Sequence, residues 1–127
     1  MSVLVTQQAP DFTAAAVLAN GSIVDDFQLS SLKGKKIMLF FYPLDFTFVC
    51  PSEILAHHHR IAKFAEKGVE VVGVSVDSQF THNAWRNTTP ADGGLGAIDF
   101  PLVADTDHSI MESYGVVHPA GVALRAS

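Results

Sequence analysis

The stretch Ile37-Met38-Leu39-Phe40-Phe41-Tyr42-Pro43-Leu44-Asp45-Phe46-Thr47-Phe48-Val49-Cys50-Pro51-Ser52-Glu53 decides the fold. Its opening run, Ile37 to Tyr42, is unbroken apolar sequence of the kind carried by a strand buried on both faces. A short turn follows, and from Pro51 the pattern becomes helical. Proline is favoured in the first turn of a helix, because the N–H it lacks would have no intrahelical partner there. The only cysteine of the chain therefore stands at a strand-to-helix junction. Unpaired N–H groups and the helix dipole favour negative charge at such a place. A thiolate is the nucleophilic form of cysteine, and this setting lowers its pKa. The stretch thus predicts a single activated sulfur, that of Cys50, at a helix start.

Working outward, Pro51 to Lys67 reads as one helix. Ile54, Ile61 and Ala65 fall on one face, with Phe64 at its edge. Gly68 can take the left-handed conformation that ends it. Val69 to Val76 is β-branched and apolar, the next buried strand. Asp77-Ser78 are turn and cap residues before a helix from Gln79 to Asn87. Thr88 to Ile98 is a loop, Phe100 to Ala104 a short strand, and Asp107 a cap for a helix from His108 to Tyr114. Gly121 to Ala126 begins another strand. Upstream, Phe12, Ala14 and Ala16 alternate, and Asn20-Gly21 signals a hairpin whose returning strand is Ser22 to Phe27. Ser30 to Gly34 is a turn or a single helical turn. Strands alternating with helices predict an α/β fold with a largely parallel sheet.

Composition narrows the function. The 127 residues are expected to form a single domain, and 48% apolar content fits a globular chain. A net charge of −5 gives no basic footprint for nucleic acid or for an anionic membrane. No apolar run approaches the roughly 18 residues needed to cross a bilayer. The segment Met1 to Pro10 lacks a basic and apolar secretion signal, and one cysteine suits a reducing compartment, so a cytoplasmic protein is expected. Three consecutive helical histidines, His57-His58-His59, diverge by about 100° per residue and do not face one ion. No metal site is expected there. His58 lies closest to the apolar face, as a satisfied core histidine, with His57 and His59 solvated. Dithiol exchange of the thioredoxin kind would need a second cysteine where this chain has Glu53.

The spacing Pro43-xxx-Thr47-xx-Cys50 resembles the peroxiredoxin signature. The resemblance extends through Ala9-Pro10-Asp11-Phe12, Phe40-Phe41-Tyr42-Pro43, Cys50-Pro51-Ser52-Glu53, Gly73-Val74-Ser75-Val76-Asp77-Ser78 and His82-Asn83-Ala84-Trp85. It is strongest to the typical 2-Cys branch, which contains the alkyl hydroperoxide reductase C subunit. The resemblance implies a thioredoxin-like fold with an N-terminal hairpin extension. It also implies that residues 1–127 are a C-terminally truncated version, since the branch continues with two strands, a helix and an arm holding the resolving cysteine.

The implied chemistry is reduction of hydrogen peroxide or small organic hydroperoxides, with no cofactor. Cys50 would be the nucleophile and would become a sulfenic acid. Thr47 would donate to the thiolate and accept from the peroxide, and Pro43 would shape and dry the pocket. Arg125 would donate to sulfur and peroxide, a task suited to a planar guanidinium with several donors. That role needs the terminal strand to be pinned. Glu53 would orient Arg125, or simply compensate the helix dipole. Trp85 would line the pocket region or serve as a core aromatic. Implied partners are a peroxide, a thiol reductant (thioredoxin or a flavoprotein disulfide reductase) and further copies in a homo-oligomer. The alternative is a truncated, non-catalytic binding or chaperone-like oligomer.

Overall fold

Asn20-Gly21 turns the chain as its sequence predicts. Gly21 takes φ 88, and Leu18 N–H bonds the Ser22 carbonyl at 2.8 Å. The turn joins β1 (Thr13–Val17) to β2 (Ile23–Gln28) in an antiparallel pair. A 3-10 turn, Leu29–Leu32, leads to β3 (Lys36–Phe41), and the other strands are β4 (Val69–Ser75) and β5 (Leu102–Ala104). The helices are α1 (Cys50–His59), α2 (Ile61–Glu66), α3 (Gln79–Arg86) and α4 (Ser109–Ser113). The structure, a computed structural model, describes residues 7–32, 34–45, 50–92, 94–96 and 98–126, without the side chains of 50–53, 62 and 90.

The sheet runs β2-β1-β5-β4-β3. β3, β4 and β5 are parallel, while β1 joins β5 antiparallel and carries the hairpin outward. Side chains alternate across it, as the pleat requires. Phe40, Val71 and Leu102 face one core with Tyr42, Ile54, Trp85, Ile98 and Phe100. Phe41, Val72, Val74 and Val103 face the other with Ala16, Ile110 and Met111. Arg86 ties the hairpin to the first core by donating to the carbonyls of Ala19 and Ile98.

Several expectations change. Ile37 to Phe41 is not buried throughout: among the described residues β3 pairs with β4 and, at Phe41 alone, with Ala126, and Ile37 to Leu39 are half-buried. An apolar run reports low polarity, not the number of neighbours a strand has. The helix expected over Pro51 to Lys67 breaks at Arg60, where φ −109 leaves the helical range. Arg60 and Lys63 make three-residue bonds, Arg60 N to His57 O and Lys63 N to Arg60 O. Ala65 is consequently exposed and not part of a buried face.

The break accompanies a histidine arrangement that departs from the expected one at His57, which packs where solvation was expected. His57 stacks on Phe40 at 4.5 Å and 5° and lies near-parallel to Phe64, while half-buried His58 accepts the Asp99 N–H at 3.2 Å. His59 is exposed, as expected. Gly121 to Ala126 forms isolated bridges, Val117 with Ala123 and Phe41 with Ala126, not a full strand.

The cap of α4 is divided. Asp107 accepts from Ser109, but buried Asp105 takes the N–H groups of Ile110 and Met111 at 3.0 and 2.8 Å. Burial pushes the Asp105 carboxyl above its ordinary 3.8, against the pull of those two amides. A carboxyl with a raised folded-state pKa favours folding fully below its unfolded value, and that contribution is lost as pH rises through the folded value. Across the window just above 3.8, Asp105→Asn should therefore flatten the fall in stability with rising pH. Urea unfolding of both proteins at a series of pH values reads the difference.

Candidate active site

In a parallel sheet, binding and catalytic groups collect where the strands end at their carboxyl side. β3 and β4 end here beside the start of α3, which Ser78 caps by accepting the Thr81 N–H at 3.1 Å. Tyr42 follows β3 and continues its ladder, bonding Val74 O at 3.1 Å. Its ring is wholly buried, and its hydroxyl donates to Asp45 Oδ1 at 2.8 Å. The other Asp45 oxygen lies 2.6 Å from His82 Nδ1 on α3. His82 Nε2 lies 3.0 Å from the Val103 carbonyl of β5. A carbonyl only accepts, so Nε2 is the ring nitrogen that donates to it, while Nδ1 faces the Asp45 carboxyl. Asp45 also donates its backbone N–H to Asp77 Oδ2 at 2.5 Å.

Burial drives the electrostatics of this corner. It pushes the Tyr42 phenol well above 10, with the Asp45 charge adding to it, so the phenol remains a donor. It also raises the Asp77 carboxyl, partly offset by the Asp45 N–H bond. Loop residue Asp45 is thereby tied to α3 and the β4–α3 turn, and through His82 to β5.

Pro43, Thr47, Cys50 and Glu53, which the sequence singled out, flank Asp45 in the chain. Cys50 opens α1, at the helix N-terminus expected for it. Its side chain and that of Glu53 lie outside the described residues, and so does Thr47. Pro43 is half-buried directly after Tyr42. Trp85 is wholly buried, 5.9 Å from the Tyr42 ring, and belongs to the core. Of its two readings, the core aromatic holds. Arg125 is exposed, and its neighbour Ala126 is pinned to the end of β3 by Phe41 N to Ala126 O at 2.7 Å and Ala126 N to Phe41 O at 3.3 Å. The backbone next to Arg125 is therefore pinned beside β3. Among the described residues, no three His, Cys, Asp or Glu side chains converge as a metal site.

Sequence reasoning passed over Tyr42, Asp45, Asp77 and His82 as site residues. A signal was available: Asp45 is a lone carboxylate within Tyr42 to Val49, and a buried charge requires a partner. His82 lies three residues before Trp85, on the same helical face.

The chain matches the AhpC/TSA family over residues 5–127. It is 52% identical over 127 residues to alkyl hydroperoxide reductase C of Buchnera aphidicola, covering 98% of this chain and 64% of that protein. Peroxiredoxin-2 of Cricetulus griseus is 53% identical over 118 residues, 92% of this chain and 59% of that protein. Thioredoxin peroxidase I of Plasmodium yoelii superposes with a TM-score of 0.88 at 49% identity, over 94% of this chain and 68% of that one. The chain thus spans less than two thirds of the length of the curated relatives it matches. Its mixed sheet with an antiparallel N-terminal hairpin is the thioredoxin-like fold of those peroxidases. By sequence and by fold, this chain belongs to the AhpC/TSA family, the peroxiredoxins.

Proposed function

We propose that this chain is a thiol-dependent peroxidase acting on hydrogen peroxide and small organic hydroperoxides through Cys50. The observation that supports it most is the opening of α1 at Cys50, after a loop whose other stem is held at Asp45. A helix start with unsatisfied N–H groups favours the thiolate. The thiolate attacks one peroxide oxygen, the O–O bond breaks, and the second oxygen leaves with a proton as water or an alcohol. The sulfur is left as a sulfenic acid. Thr47 and Arg125 serve as donors to sulfur and peroxide, with Pro43 excluding water and Glu53 orienting Arg125.

A second thiol then reduces the sulfenic acid, and residues 1–127 hold no other cysteine to supply it. Thioredoxin or a flavoprotein disulfide reductase is the reductant class. Residues 1–127 act as one domain in a homo-oligomer. No described helix is long and apolar enough to cross a membrane, and we place the protein in the cytoplasm. A single-turnover assay tests the activity. The full chain should consume peroxide rapidly and stoichiometrically, and Cys50→Ser should abolish the loss. Peroxide loss unchanged by that substitution would falsify the reading.

A further inference from the structure

Asp45 and His82 are an expensive pair to bury. Both side chains are fully shielded from water, and an apolar pair of similar volume would fill the same space without desolvating charge. What an apolar pair lacks is direction. Through Asp45, the His82 ring links the loop entering the active site to the Val103 carbonyl in the middle of the sheet. The groups facing this ring are the Asp45 carboxyl and the Tyr42 phenol, which lies 3.5 Å from Nδ1. Asp77 holds the Asp45 backbone from the opposite side. One residue of the loop is thereby fixed by its carboxylate and by its N–H at once, five positions before Cys50.

We propose that His82, acting through Asp45, is a positioning residue for Cys50: it fixes Asp45, five positions before Cys50, and so sets how the sulfur is presented. The inference rests on Cys50 being the reactive group of the proposed function. It concerns the sulfur's reactivity, which is measurable with or without a peroxide. A displacement of about 1 Å at a reacting group costs up to about a hundredfold in rate, and Asp45 stands only five positions before Cys50.

The test uses the full chain and two amide replacements. In His82→Asn the amide nitrogen stands near the former Nδ1 and still donates to Asp45. In His82→Gln it stands near the former Nε2 and reaches only Val103. Two quantities are read: the pH profile of Cys50 alkylation by iodoacetamide, and the rate of Cys50 oxidation by hydrogen peroxide. His82→Gln should slow both by about tenfold or more and move the alkylation midpoint upward. His82→Asn should restore most of the loss. Glu70→Gln breaks the exposed ion pair with Lys35 at the opposite end of β4 and should change neither readout.

A His82→Gln protein that melts earlier yet keeps the wild-type alkylation profile and oxidation rate overturns the proposal. So does a His82→Asn protein as slow as His82→Gln. If His82→Gln does not fold, Asp45→Asn preserves the volume and is read by the same two measurements, with the same slowing expected and unchanged values overturning it. A wild-type thiol inert to peroxide, but with an alkylation profile that shifts in His82→Gln, keeps the positioning role and removes the peroxidase reading instead.

Discussion

Methionine in place of Arg125 should slow oxidation of the Cys50 thiol by hydrogen peroxide about a hundredfold to a thousandfold. Loss of one preorganised donor to developing charge costs about that much in well-studied enzymes. The guanidinium offers several N–H donors in one plane, while methionine offers none at similar length. Lysine keeps the charge without the fork and should recover only part of the rate. Preorganisation depends here on the backbone pair between Phe41 and Ala126, which holds the end of the chain against the last residue of β3. Ala126→Pro removes the N–H that bonds Phe41 O and should slow the same step while leaving the guanidinium intact. Stopped-flow oxidation of the three Arg125 forms and of Ala126→Pro decides the matter. Wild-type rates in Arg125→Met would end the donor role.

Alanine at Trp85 should lower folding stability by about 3–5 kcal/mol, the usual cost of emptying an aromatic site in a packed core. Against a total of about 5–15 kcal/mol for a domain, that is a large share. Trp85 is wholly buried among Tyr42, Ile54 and Leu95, and its carbonyl accepts the Leu95 N–H at 3.0 Å, so the neighbourhood has little room to collapse. Phenylalanine fills part of the volume and should cost clearly less. Trp85 is the only tryptophan, so unfolding is followed by circular dichroism in urea and not by fluorescence. A loss below about 1 kcal/mol, the ordinary surface-to-average range, would contradict the packing described here. Because Trp85 packs on Tyr42, whose hydroxyl holds Asp45, the alanine form should also react more slowly at Cys50.

Both expectations join a residue visible in the sequence to a partner that was not. Asn20-Gly21, Ser78 before α3, Gly68 after α2 and Cys50 beside Pro51 could be read directly. Turns, caps and helix starts are set by interactions between residues a few positions apart, which a sequence displays. The family motif around Cys50 likewise runs without interruption. The pairings that shape the site span longer distances. Asp45 meets His82 across 37 positions and Asp77 across 32, and Val103 lies 21 beyond His82. Phe41 and Ala126 come from opposite regions of the chain.

By itself, then, the sequence determined the hairpin, most helix starts and stops, the α/β class and the place of Cys50 at a helix start. Only the tertiary structure decided that β3 pairs with β4 at the far side of the described sheet, that His57 and not His58 packs on Phe40, and that Asp45 meets His82 in the core. The reason is physical. An apolar run or a lone polar residue states what must be hidden from water, whereas strand order and helix placement determine which neighbour hides it.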